Sequence, residues 1–190
     1  MKVSREQMAE NRERIVAVAA RRFREHGFDG ISVADVMSEA GLTHGGFYGH
    51  FANKEELMAE AVNRAVADTR TMWTQAREKK DGNPLGSLAH NYLSPRHRDR
   101  PGHGCAMAAL AVDATRHGPQ VREALTAGLR QQIDDMTGLM PQAETGEQRR
   151  QALASYAAMV GALMLSRAVD DPALSAEILS ATEASISTAG

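Results

Sequence analysis

The sequence predicts an all-α protein of about nine helices, in which a small N-terminal three-helix unit precedes a larger helical body. Three observations carry this. Ala and Met are abundant while aromatic residues make up only 4% of the 190 residues. Ala and Met lose little entropy in a helix, whereas strands favour aromatic and β-branched side chains. Apolar residues recur at helical spacing through most of the chain. Gly, Pro and N-capping residues interrupt that pattern at the intervals a bundle of separate helices requires.

The first helix is expected from about Met8 to His26. Ile15, Ala19 and Phe23 repeat at i+4, Val16 and Ala20 widen the stripe, and Arg12, Arg14, Arg21, Arg22 and Arg24 take the other faces. Gly27 ends it, supplying the left-handed conformation common at a helix C-terminus. Ser32 opens the next helix and forms a capping box with Asp35, each side chain accepting an otherwise unpaired backbone N–H. Val33, Val36, Met37 and Ala40 face inward, and Gly41 stops the helix after barely two turns. Thr43 is placed to cap a third helix, His44 to Phe51, with Phe47 and Phe51 on one face. Two short helices across a glycine turn cannot bury their apolar faces alone, so the first helix must cover them. That is a helix-turn-helix.

Asn53 is placed to cap a fourth helix, Lys54 to about Lys80, with Glu56 completing a second capping box. Leu57, Met58, Ala61, Val62, Ala65, Thr69, Met72 and Trp73 form its stripe. At 1.5 Å per residue it spans about 40 Å, enough to run from the small unit into the body and link them mechanically. Asp81 to Pro84 end it. A short helix, Leu85 to Leu93, precedes the polar segment Ser94 to His103, which reads as a solvated loop around Pro95 and Pro101. Apolar periodicity resumes over Cys105 to Thr115, and Pro119 starts a helix reaching about Leu139, with Val121, Leu125, Leu129, Ile133 and Met136 inward. Pro141 to Gly146 form a turn. The last two helices are expected over Glu147 to Val169 and Pro172 to about Ser187. The first of these has small and apolar residues on nearly all sides, so it is either central in the body or faces a second subunit. The division falls between residues 1–55 and 56–190.

Bulk properties narrow the function. A single cysteine rules out an internal disulfide and fits a reducing cytoplasm. No stretch approaches the roughly 20 apolar residues that span a bilayer, and the charged N-terminus lacks a signal core. Neither a nucleophile elbow, a phosphate-binding glycine loop nor a metal-ligand spacing is present, so no enzyme activity, cofactor or metal is expected. The net charge is −2, and residues 1–54 hold eight Lys or Arg against seven Asp or Glu. A basic field is therefore weak, and DNA affinity has to rest on dimerisation and local geometry.

The segment Phe28-Asp29-Gly30-Ile31-Ser32-Val33, then Gly41-Leu42-Thr43-His44-Gly45-Gly46-Phe47-Tyr48-Gly49-His50-Phe51, then Asn53-Lys54-Glu55-Glu56-Leu57, resembles the DNA-binding domain of the TetR/AcrR family of transcriptional regulators. The detailed match covers about residues 10 to 60. The resemblance implies an all-helical homodimer, usually a repressor that a small molecule releases from a palindromic operator. It also implies DNA contacts from Ser32, Thr43, His44, Tyr48, His50 and Lys54. Gly46 and Gly49 depart from the pattern, since the family usually has Thr or Ser at the first and a bulky side chain at the second; neither glycine can reach a base or phosphate with a side chain.

Within the body, Met72, Trp73, Tyr92, Cys105, Met107, Met136, Tyr156 and Met159 are candidates for lining an apolar or aromatic effector's cavity, with ordinary core as the competing reading. Ala154, Ala157, Ala158, Gly161, Leu165, Leu174 and Ile178 are candidates for the dimer face. Cys105 reads first as a small buried hydrophobe. His97 and His103, with Arg96, Arg98 and Arg100, lie in the expected loop without metal-site spacing. The expected protein is a cytoplasmic operator-binding homodimer. Its rivals are a helical interaction protein with reduced DNA binding and, behind that, an enzyme acting in the C-terminal cavity.

Overall fold

The computed structural model describes residues 4–78, 83–140 and 145–187. Its α-helices are α1 (Arg5–His26), α2 (Val33–Glu39), α3 (Lys54–Glu78), α4 (Pro84–Tyr92), α5 (Pro95–Asp99), α6 (Ala106–Ala114), α7 (Pro119–Thr137), α8 (Thr145–Ala168) and α9 (Pro172–Ser187), with 3₁₀ helices at His44–Gly49 and Pro101–His103. The all-α expectation holds, and all the helices pack around one continuous core. The expected Pro141–Gly146 turn lies largely outside the described residues.

α1 begins three residues before the expected start. Ser4 caps it, accepting from the Gln7 amide at 3.1 Å, and the Ser-x-x-Gln spacing is a capping signal legible in the sequence. Ile15, Ala19 and Phe23 are fully buried. Gly27 and Gly41 have φ of 74° and 72°, the left-handed region where glycine alone carries no steric cost. A Cβ on Gly27 would in addition lie 2.4 Å from Asp113 Oδ2.

α3 packs on α1 in the small unit and on α7 and α4 in the body, so it spans both as its length requires. α7 comes very near it: a Cβ on Gly128 would sit 2.6 Å from Val66 Cγ2.

The segment after α4 is not a solvated loop. Ser94 accepts from the His97 amide at 3.3 Å and Pro95 fills the first turn of α5, an N-cap followed by proline that favours a helix start. His97 is buried, bonding Tyr92 O through Nδ1 at 2.7 Å and accepting from the Cys105 amide through Nε2 at 2.9 Å. Its partners lie in other elements, which the local sequence does not reveal.

Hydrogen bonds from α6, its flanking residues and α3 fasten the small unit to the body. The Phe28 amide donates to Asp113 Oδ2 at 3.2 Å, the Gly118 amide to Glu55 Oε1 at 2.9 Å, and Arg24 Nη1 to Gly104 O at 3.0 Å. His117 adds an edge-on contact with the Phe28 ring, centroids 5.1 Å apart. Both ends of α6 are thereby held against α1. No helix among the described residues is long and apolar enough to cross a membrane.

Candidate nucleic-acid interface

α2 is set by the Ser32–Asp35 capping box expected from the sequence. Ser32 Oγ accepts from the Asp35 amide at 3.1 Å and the Ser32 amide donates to Asp35 Oδ2 at 3.0 Å. The Ser32 hydroxyl also donates to that carboxylate at 2.5 Å. These bonds hold the exposed Asp35 carboxyl below its ordinary pKa. The Ser32 hydroxyl is therefore spent inside the cap, and would have to turn away from Asp35 to meet a phosphate.

The third element is a 3₁₀ helix, His44–Gly49, rather than the α-helix expected through Phe51. Three of its six residues are glycines, the residues with the largest backbone entropy to lose in a helix. Buried Phe47 anchors it, stacking on Phe51 with centroids 5.5 Å apart. Tyr48 projects the other way and is 71% exposed. His44 is exposed beside it.

Thr43 occupies the N-cap position of this helix, but its side chain makes no cap bond, contrary to the expected role. Its exposed hydroxyl is left for an outside partner. Gly45 and Gly49 have nothing within 4 Å of an added Cβ, and Gly46 meets only Thr43 Oγ1 at 3.6 Å and Met37 Cε at 3.8 Å. Packing does not require glycine at these three places; the bare surface is a property of the sequence.

His50 is half-buried, and its pKa is lowered by burial and then by Arg12, so the ring is neutral near pH 7. Its carbonyl accepts from Arg12, which also bridges Glu56 at 3.0 Å and Glu60, and lies 4.2 Å over the Phe51 ring. Arg21 and Arg22 pair with Glu25 and Glu39. Much of the positive charge counted in residues 1–54 is thus consumed within the protein.

Lys54 is the clearest departure from expectation. Half-buried rather than fully solvated, its ammonium donates to Phe28 O at 2.7 Å and Ile31 O at 2.9 Å. It ties the start of α3 to the turn between α1 and α2, leaving one of three N–H donors. Nearby, Asn53 caps α3, accepting from the Glu56 amide at 2.9 Å, while the Glu56 carboxylate takes the Ala52 amide at 2.7 Å. The reciprocal half of the expected box is displaced by one residue.

In the body, Trp73, Tyr92, Cys105, Met107, Met136, Tyr156 and Met159 are all buried, while the Met72 side chain lies outside the described set. Cys105 Sγ is 3.4 Å from Tyr156 Oη, and the Trp73 and Tyr156 ring centroids are 5.8 Å apart. Tyr156 also donates to Gln132, whose amide reaches Thr69 Oγ1 at 3.3 Å. Burial holds the Tyr92 and Tyr156 phenols well above their ordinary pKa, so both remain protonated. Thr69, His97, Gln132 and Arg24 join this polar core without having been candidates. Gln132 falls three residues after Leu129 and four before Met136, which is the one sequence signal for it. No group of three metal-ligating side chains occurs among the described residues.

The two sides of α8 differ. Ala152, Tyr156, Met159, Leu163 and Ser166 are buried, while Leu153, Ala154, Ala157, Ala158 and Leu165 are exposed, so α8 is not central. Leu174 on α9 is exposed, and Gly161 and Ile178 are half-buried.

Residues 15–61 match the family model for bacterial regulatory proteins of the tetR family. The regulator TtgR of Pseudomonas putida is 34% identical over 86 residues, covering 45% of this chain and 40% of TtgR. The chain spans less than half the length of the first curated relatives it matches. Likeness to solved structures extends through the whole chain. A TetR transcriptional regulator from Chloroflexus aurantiacus superposes with TM-score 0.78 and 25% identity over 96% of this chain and 95% of that one. The reduced form of E. coli NemR superposes with TM-score 0.77 at 20% identity, over 94% and 96% of the two chains.

Proposed function

Because the chain belongs to the TetR/AcrR family of transcriptional regulators, we propose that it is a homodimeric, ligand-responsive repressor that binds a palindromic operator. Residues 1–55 are the DNA-reading head and residues 56–190 the effector-binding and dimerisation body. Each His44–Gly49 helix enters a major groove. Tyr48 and His44 are the direct readers, and Thr43 offers its hydroxyl to a phosphate. Ser32 and His50 make secondary contacts. Lys54 acts mainly by holding the head together, with its remaining N–H directed to the backbone. Effectors bind among the buried Trp73, Tyr92, Cys105, Met107, Met136, Tyr156 and Met159 side chains, together with Met72. The exposed faces of α8 and α9 join two copies through Ala154, Ala157, Ala158, Gly161, Leu165, Leu174 and Ile178. The matched relatives are regulators, and nothing in this chain argues for an enzyme.

The carrying observation is the polarity of the His44–Gly49 helix: Phe47 is 1% exposed while its neighbour Tyr48 is 71% exposed. A large aromatic hydroxyl held out on a buried anchor is costly to leave in water and suited to a groove. The test is fluorescence anisotropy of the dimer on DNA from upstream of its own coding region. Tyr48→Ala is expected to weaken binding tenfold or more with an unchanged melting temperature. Lys54→Met is expected to weaken binding and also destabilise the fold by about 1–3 kcal/mol, through lost charge-assisted hydrogen bonds. Equal binding by wild type and Tyr48→Ala contradicts the assignment.

A further inference from the structure

The turn from α8 to α9 opens onto a cavity of about 320 Å³, walled by Arg98 and Asp99 of α5, Ser166 and Arg167 of α8, Asp170 of the turn and Ser175 of α9. Part of this wall is already paired. Ser175 is buried, donates to Ser166 O at 2.6 Å and accepts from Arg98 Nη1 at 3.0 Å, while Arg98 Nε meets Asp99 Oδ1 at 2.7 Å. Arg98 and Asp99 thus neutralise each other.

Arg167 is different. Its guanidinium is half-buried and donates to two carbonyls, Arg98 O at 3.0 Å through Nε and His97 O at 2.7 Å through Nη2. Those bonds use two of the five N–H donors of an arginine and supply no countercharge. Burial lowers its pKa, Asp99 acts on it only from a distance, and no carboxylate is in ion-pair range of it among the described residues. A charge moved out of water without a counterion is unfavourable.

Three residues on, the Asp170 carboxylate is exposed on the same cavity, with neither a hydrogen bond nor an ion pair among the described residues. Opposite charges three apart on a helix ordinarily pair. Here α8 ends at Ala168, and the two carbonyls hold the guanidinium against α5. Two opposite charges therefore face one cavity without meeting.

We propose that this cavity binds a small zwitterion of the amino-acid class, whose carboxylate takes the free N–H groups of Arg167 and whose ammonium pairs with Asp170. A lone anion would also meet Asp170, and a lone cation would meet Arg167; a ligand with both charges satisfies both walls. The site is separate from the aromatic core positions and from the proposed dimer face, since Arg167 stands about 200° round α8 from Leu165. α5 links it to the head. The Pro101–His103 helix that follows packs on α1, where a Cβ on Gly102 would stand 2.9 Å from Arg21 Cγ. A ligand that draws on Arg167 pulls on the α5 carbonyls and through them on α1. The zwitterion is thereby an effector, a role that rests on the regulator reading above, whereas its binding does not.

Glycine and 4-aminobutyrate are the probes, with butyrate and butylammonium as single-charge controls, titrated calorimetrically into the full-length protein. At least one zwitterion is expected to saturate and to bind about tenfold or more tighter than either control. Asp170→Asn, at an exposed position, is expected to weaken that zwitterion about tenfold, to leave butyrate within about twofold and to keep the melting temperature. Saturating zwitterion is expected to change operator affinity in the wild type and not in Asp170→Asn. The proposal is overturned if neither zwitterion saturates, if both bind no tighter than the controls, or if Asp170→Asn leaves zwitterion affinity unchanged. Saturable binding with no change in operator affinity overturns the effector role. The calorimetric titrations contain no DNA, so failure of the repressor reading, seen as absent operator binding by the ligand-free protein, leaves them to stand or fall alone.

Discussion

At pH 7 the His97 imidazole is neutral, because burial opposes its charged form and Arg167 and Arg24 oppose it further. Its folded pKa of about 4 lies below the 6.5 of an exposed histidine, so between these values the unfolded chain binds the extra proton. The stabilisation is complete above pH 6.5 and disappears as pH falls to 4, a difference of about 3 kcal/mol. Asp35 and Glu56, with depressed pKa values, lose their contributions only as pH falls through and below 4.5. Denaturant unfolding at pH 7.0 and pH 4.8 is expected to show a marked loss in wild type and a much smaller one in His97→Gln; equal losses would contradict the assignment. Residues of this kind were the least legible in the sequence. Tyr48 could be read only through the family resemblance, since local spacing does not separate it from its buried neighbour Phe47. Lys54 and His97 could not, because their partners are backbone atoms 23 to 26 residues away for the lysine and in another element for the histidine.

Among the elements, the short capped helices were the most legible, since Ser32–Asp35 and Asn53 act within four residues of themselves. The His44–Gly49 helix was predicted in place but not in type, because glycine content loosened the hydrogen-bonding pattern that apolar spacing implied. α5 was missed because the charge of its residues outweighed the Ser94-Pro95 signal. The α3–α7 contact is where a change in the body most directly meets the helix that leads to the head. Val66 lies 2.6 Å from the Cβ position of Gly128, and a β-branched side chain has little freedom to yield. Gly128→Ala is expected to cost about 1–3 kcal/mol by overpacking, and to shift α3 enough to change operator affinity as well. A calorimetric melt combined with anisotropy checks both, and unchanged values in both would show that this contact does not govern the spacing of the two helices.

For the molecule as a whole, the proposed dimer rests on an amphipathic division that the sequence left open. α8 buries one side in its own subunit, and Leu165 and Leu174 remain 57% and 42% exposed on the other. Leu165→Glu, placing a charge in the proposed interface, is expected to give monomers in sedimentation analysis and to lower operator affinity by removing the second head. A stable dimer in this variant would relocate the interface. The near-balanced charge of the head, with Arg12, Arg21 and Arg22 held in internal pairs, further implies that specific binding depends on geometry as well as on phosphate attraction. Selection of fragments from total genomic DNA tests the central claim most directly. The wild-type protein is expected to enrich a palindrome whose half-sites lie one helical turn apart, about 34–36 Å centre to centre or a multiple of it, and Tyr48→Ala to enrich nothing. No enrichment by the wild type, or the same fragments enriched by both proteins, would contradict the account.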